Sequence, residues 1–165
     1  MKTAIFYASH GGTAEGFARQ IGELFGIADI FSMKDHAPKD MAPYDLLFFV
    51  SANYGYGHLM DDFDTKVKLL SDVDFSQKKI ALVGVGSQKR HPDSFCSGLQ
   101  EFVDKIGLNG AHWIGHSPAT DYSFTWSRSQ RGARMIGLCL DAEDGEAKNR
   151  QRIDQWADLI RPHLK

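Results

Sequence analysis

Three short, almost uninterrupted apolar runs constrain this chain most: Thr-Ala-Ile-Phe-Tyr at 3–7, Leu-Leu-Phe-Phe-Val at 46–50 and Ile-Ala-Leu-Val-Gly-Val at 80–85. A strand with one wet face alternates apolar and polar residues. A run apolar at nearly every position suits a strand covered on both faces, as in a parallel sheet. Residues 27–31, 113–114 and 135–140 are weaker strand candidates. Helix-period stretches separate the runs. Phe17, Ile21, Leu24 and Phe25 share one face, closed by Gly26, and Phe63, Val67 and Leu70 share another. Phe95, Leu99, Phe102, Val103 and Ile106 form a third, closed by Gly107; Ile153, Trp156, Ala157, Ile160 and Leu164 form the last. Such stripes are core-facing surfaces of helices, and glycines after the last apolar position are helix stops. Strand alternating with helix predicts one doubly wound α/β domain over 1–165, with helices on both faces of a parallel sheet. One stretch does not fit a simple connection: between Ile114 and Met135 lie roughly 20 polar, aromatic-dotted residues, long for a loop in a compact domain.

Composition narrows the function. A formal charge of -2 and a pI near 6.4 provide no broad basic surface for nucleic acid and no polybasic patch for a membrane. No apolar run reaches the roughly 20 residues that span a bilayer, and the N-terminus lacks the apolar core of a secretory signal. Cys96 and Cys139 are far apart and form no Cys-x-x-Cys, so the expectation is a soluble, monomeric protein of the reducing cytoplasm. His112 and His116 flank a strand candidate with no third ligand nearby, and no metal site is expected.

In a doubly wound sheet, ligands bind beyond the carboxyl ends of the strands, where strand order reverses. The residues after each apolar run therefore matter most. After the first come Ser9, His10, Gly11, Gly12, Thr13, Ala14 and Glu15. Two glycines let the chain turn with its N–H groups aimed at an anion, and the following helix terminus and the Ser9 and Thr13 hydroxyls add to that. No Lys or Arg is present, so the loop is not of Walker type; a Gly-Gly turn is also ordinary punctuation before a helix. After the second run come Ser51, Ala52, Asn53, Tyr54, Gly55, Tyr56 and Gly57. Aromatics interleaved with glycines suit close approach to, and stacking on, a flat ligand. After the third come Gly86, Ser87, Gln88, Lys89, Arg90, His91 and Pro92, with Pro92 suited to the first turn of the helix that follows and His91 placed to face the same pocket as Tyr54.

Together these loops resemble the flavodoxin family, and the resemblance covers almost the whole chain. Its most specific piece is Gly55-Tyr56-Gly57-x-Leu59-x-Asp61-Asp62-Phe63; the second is Gly84-x-Gly86-x-Gln88 with Phe95-Cys96 downstream. The third runs from His116 through Asp121-Tyr122-Ser123-Phe124 to Ile136-Gly137-Leu138-Cys139-Leu140-Asp141, and is similar to the insertion that splits the last strand of long-chain members. Arg152-Ile153-x-x-Trp156 fits their C-terminal helix. The resemblance implies a five-stranded sheet of order 2-1-3-4-5. It implies FMN as cofactor, held by Ser9, His10, Gly11, Gly12, Thr13, Ala14, Ala52, Asn53, Tyr54, Gly55, Tyr56, Gly57, Gly86, His91 and Phe95.

In the family the first loop takes the phosphate, and the ring lies between an aromatic of the second loop, here Tyr54, and one of the third. Gly55 takes the position whose carbonyl turns toward flavin N(5) in the semiquinone. The implied role is that of a low-potential electron carrier using the semiquinone/hydroquinone couple. Its partners would be an NADPH-dependent flavodoxin reductase or similar donor and an unnamed acceptor, with no catalytic residues of its own. Asp61, Asp62 and Asp64 are the candidate docking acids, with Lys89-Arg90-His91 adding positive charge nearby. The chain departs from the pattern in three places: Gly11 and Ala14 replace hydroxyl residues, His91 stands for the second stacking tyrosine, and Ser87 for the third loop's acid. His10 is placed to compensate at the phosphate, and the His91 exchange predicts a less negative semiquinone/hydroquinone potential. Two other readings share the fold: a regulatory module with weak or no FMN, and an FMN-dependent quinone reductase.

Overall fold

The computed structural model describes all residues except 55–57, 60, 108 and 109 and the side chains of Tyr54 and Asp61. The three dense runs form the central strands β1 (Thr3–Ala8), β3 (Leu46–Tyr54) and β5 (Lys79–Gly86), with β2 (Ile30–Ser32) on the outer side of β1. All pair in parallel, in the order β2-β1-β3-β5. The fifth position is shared. β6 (His112–Ile114) pairs with the first half of β5, placing Ala81 against Ile114, and β9 (Leu138–Asp141) pairs with the second half, from Val83↔Leu138 to Gly86↔Asp141. The expected order and the split last strand are both present.

The segment between β6 and β9 folds over one face and carries the hairpin β7 (Gln130–Arg131) and β8 (Arg134–Met135). Residues 135–140 are thus two elements, not one strand. Met135 ends the hairpin, and the sheet resumes only at Leu138. A two-residue strand, β4 (His58–Leu59), folds back antiparallel on the end of β3.

Strand periodicity divides the core in two. Phe6, Leu47, Phe49, Ile80 and Leu82 point to one face, where α2 (Asp61–Asp64), a 3-10 segment (Val67–Asp72) and α3 (Leu99–Ile106) pack through Phe63, Leu70 and Phe102. Ile5, Phe48, Val50, Ala81 and Val83 point to the other, covered by α1 (Thr13–Phe25) and α4 (Glu146–Ile160) through Ile21, Ile153 and Trp156. Trp156 packs edge-on against Phe48 with ring centres 5.8 Å apart, and its indole N–H donates to Gly115 O at 2.8 Å. No helix among the described residues is long and apolar enough to cross a membrane.

Helix boundaries depart from the apolar periodicity in four places. Leu24 is exposed, and the buried stripe of α1 is Ala14, Ala18, Ile21 and Gly22. Phe63, Val67 and Leu70 do face the core together, but on one α-turn followed by 3-10 bonds, such as Leu69 N to Lys66 O at 2.9 Å. Lys66 accounts for the break: its ammonium donates to the carbonyls of Met33 and of His36 (2.8 Å), tying this segment to the loop after β2. α3 starts at Leu99, so Pro92 and Phe95 precede it in a series of turns. Finally, α4 ends at Ile160, and Leu164 lies beyond it.

Candidate functional site

The carboxyl ends of β1, β3, β5 and β9 meet at a cleft of about 510 Å³, a volume suited to a small-molecule ligand. Thr13, Asn53, Val85, Gly86, Ser87, Arg90, His91, Asp141, Ala142 and Glu143 line it. The sheet geometry explains why residues so distant in sequence converge: parallel strands all end on one side, and the order reverses beside β1.

The first loop is built for an anion. Gly11 and Gly12 have φ of 75° and 90°, left-handed backbone that side chains disfavour, and Gly12 caps α1 without any side-chain hydrogen bond. The first helical bond recorded beyond this cap is Gly16 N to Gly12 O at 2.9 Å. The preceding N–H groups of the helix terminus have no intrahelical acceptor and carry the positive end of the helix dipole. Beside them the Ser9 Oγ is buried without a hydrogen-bond partner among the described residues. A buried hydroxyl in that state costs stability unless a ligand accepts its hydrogen bond. Thr13 faces the cleft and His10 is exposed on the loop, whereas the Ala14 side chain is fully buried against the sheet, so only its backbone is available to a ligand.

One carboxylate adjoins this corner. Glu15 accepts the Tyr7 hydroxyl at 2.6 Å and the Arg19 guanidinium at 3.2 Å. The Tyr7 bond, then Arg19, holds the Glu15 carboxyl below the usual range, while burial and then Glu15 itself push Tyr7 up.

The second loop contributes a brace. Asn53 lines the cleft, and its amide spans to the third loop, accepting from Gly98 N at 2.8 Å and donating to Ser94 O at 3.2 Å. Ala52 is half-buried between the two core clusters. Gly55, Tyr56 and Gly57 lie outside the described residues, as does the Tyr54 ring; Tyr54 is placed only as the last residue of β3, paired with His58.

In the third loop Gly86, Ser87, Arg90 and His91 line the cleft, with His91 half-buried. Phe95 is elsewhere. It is fully buried beneath Gly86, stacked on Phe124 with ring centres 5.4 Å apart and packed against Tyr122 at 5.7 Å. It belongs to the core joining this loop to the insertion, and its aromatic ring does not line the cleft.

Sequence reasoning missed the floor of the site. Asp141 is almost fully buried, and its carboxylate accepts Gln88 N at 2.9 Å, Gln88 Nε2 at 3.2 Å and Glu143 N at 3.0 Å. Gln88 also donates to Asp144 at 2.8 Å, which Arg152 grips at 2.6 Å, and accepts from Ser123 N at 2.5 Å. Third loop, insertion and C-terminal helix are thereby fixed around one buried carboxylate. The signal was available: Asp141 follows the apolar residues 138–140 as Ser9 follows the first run. At the rim, Arg90 faces Glu143 at 3.4 Å, an exposed pair of small energetic weight.

An anion corner, a half-buried imidazole and a carboxylate floor around one cleft suit a phosphorylated planar ligand. Known proteins are similar to the chain over nearly its whole length. The chain is 30% identical to the flavodoxin of Haemophilus influenzae, over 94% of this chain and 91% of that protein. It is 29% identical to flavodoxin 1 of Escherichia coli K12, over 98% and 94%. The crystal structure of Fusobacterium nucleatum flavodoxin bound to flavin mononucleotide superposes with a TM-score of 0.92 at 28% identity, covering 100% of both chains. The family model described as flavodoxin matches residues 5–156, and the chain belongs to the flavodoxin family.

Proposed function

We propose that this chain is an FMN-dependent carrier of single electrons between a reductase and acceptor proteins, and not an enzyme with a substrate of its own. The buried Ser9 hydroxyl, without a partner among the described residues and beside the open N-terminus of α1, carries this reading. Bound FMN supplies the redox chemistry, accepting and releasing electrons at its ring. The protein's part is to hold and bias it. Ser9 Oγ, the Thr13 hydroxyl and the helix N–H groups hold the phosphate, the backbone at Gly11 and Gly12 makes room for it, and Arg19 pairs with the nearby Glu15 carboxylate. Ala52, Asn53 and Gly86 shape the ring's bed. His91 would flank the ring from the third loop; the family resemblance assigns Tyr54, Gly55, Tyr56 and Gly57 to the same ligand, and of these only the Tyr54 backbone is among the described residues. Asp141, buried below, opposes added negative charge on the ring through Coulomb repulsion in a partly desolvated site.

Supporting the role are the family membership and the FMN named with the Fusobacterium protein. An NADPH-dependent flavodoxin reductase or similar donor is the proposed electron source, and the chain is taken to work as a cytoplasmic monomer. Titrating the apoprotein with FMN while following flavin fluorescence tests the reading. Saturable quenching at one FMN per chain, with riboflavin binding far more weakly, is the expected result; no quenching would overturn it.

A further inference from the structure

Charge is distributed unevenly around the cleft. Residues 87–93 and 115–137 carry Lys89, Arg90, Arg128, Arg131 and Arg134 against only Asp93 and Asp121, on a chain whose formal total is -2. The structure joins the two segments. Thr125 N and Trp126 N both donate to Pro92 O, at 2.7 and 3.0 Å, and Arg128 N donates to Ser97 Oγ at 3.0 Å. The Arg131 guanidinium lies against Arg128 O and Gln100 Oε1. Arg128 is partly offset by Asp104 at 3.1 Å and Glu101 at 3.8 Å, and Arg90 by Glu143, but Lys89 and Arg131 face no carboxylate within ion-pair distance among the described residues. Trp126, whose N–H is bonded to Pro92 O, is 56% exposed, the largest apolar side chain the described surface leaves in water.

An exposed tryptophan on a segment that also carries Arg128, Arg131 and Arg134 has the composition of an interface centre, where Trp and Arg carry a disproportionate share of binding energy. Lys89 is two residues from His91, so a partner seated here lies at the mouth of the cleft. We infer that this surface docks a redox partner with an acidic face, one presenting carboxylates around an apolar recess that receives Trp126. The nature of that partner rests on the electron-carrier reading, whereas the docking itself requires only the charge pattern and the exposed indole. Steering by this face favours acidic partners at low ionic strength, and the preference fades as salt screens it.

The test uses two haem proteins of opposite charge as probes: the acidic soluble domain of cytochrome b5 and the basic cytochrome c. Titrating the isotopically labelled full chain with cytochrome b5 should shift backbone amides at Lys89–Asp93 and Thr125–Arg131, with weaker binding as salt rises. Lys89→Glu, Arg131→Glu and Trp126→Ala should each weaken that binding by about tenfold and leave cytochrome c binding unreduced. None of the three residues lines the cleft, so FMN binding serves as an internal check on folding. Shifts confined to another face, binding strengthened by salt, or unchanged affinity in the Lys89 and Trp126 variants would each overturn the inference. The mapping works with or without flavin. Failure of FMN to bind therefore counts against the electron-carrier reading alone, while failure of cytochrome b5 to map here counts against the docking surface alone.

Discussion

Ser9 shows how a single side chain can oppose stability and favour binding. Its buried hydroxyl has no partner among the described residues, so Ser9→Ala should leave the apoprotein no less stable in urea. The same change should raise the FMN dissociation constant about 10–100-fold, since hydrogen bonds to charged groups contribute roughly 1.5–3 kcal/mol. Loss of apoprotein stability without loss of affinity would contradict the phosphate role. His91 carries the second prediction at this scale. An imidazole offers a smaller and less electron-rich face than a phenol, so His91→Tyr should make the lower reduction potential more negative by spectroelectrochemistry; an unchanged potential would remove His91 from the ring site. Both positions stand out in the sequence because each lies in a loop after a strand end, where ligands of doubly wound sheets bind. The orientation of Phe95 is not legible there, because an aromatic near a loop reads alike whether it faces a ligand or, as here, the rings of Tyr122 and Phe124.

Elements begin and end where their backbone groups find other partners, and an apolar stripe does not record those partners. Phe95, Leu99, Phe102 and Ile106 have helical spacing, yet α3 waits until Leu99. The insertion is the reason: Thr125 and Trp126 take the Pro92 carbonyl, Ser129 Oγ takes Cys96 O at 2.6 Å, and Cys96 itself has φ of 53°. Long-range bonds from thirty or so positions away override local propensity, which carries only a weak prior. The anomalous length of the segment after Ile114 marks an insertion, and the family resemblance implies that it splits the last strand, but its return point is not readable. Gly137 marks that point. A Cβ there would overlap the Leu82 carbonyl, and Ser117 Oγ already holds Gly137 O at 2.7 Å. Gly137→Ala should therefore lower unfolding stability by roughly 1–3 kcal/mol, the usual range for overpacking a core. FMN affinity should fall with it, because Asp141 is carried on the displaced strand. An alanine variant with unchanged urea midpoint would show that the insertion and β9 yield freely.

At the level of the whole molecule the insertion's attachment should set a pH dependence of stability. His116 stands exposed where the chain leaves β6, and its pKa is lowered first by partial desolvation and second by the neighbouring Arg134; Arg134 also donates to His116 O at 2.9 Å. In the unfolded chain the same imidazole takes up a proton near pH 6.5. As pH falls through that value the unfolded state binds more protons than the folded one, so stability declines, and the decline ends once pH is below the folded pKa. The depressed carboxyls act in a different window. Glu15 and Asp74 both have lowered pKa values through their hydrogen bonds, so their contribution is present above the ordinary carboxylate range and is lost only as pH falls through and below it. Among the groups with clear shifts, the interval just below pH 6.5 thus belongs to His116. Urea midpoints measured at pH 7.5 and 5.5 should fall for the natural chain and fall less for His116→Gln, while Asp74→Asn should alter the slope only in more acidic solution. An equal decline in the natural and His116→Gln proteins would place the pH sensitivity elsewhere and leave the insertion electrostatically neutral toward folding.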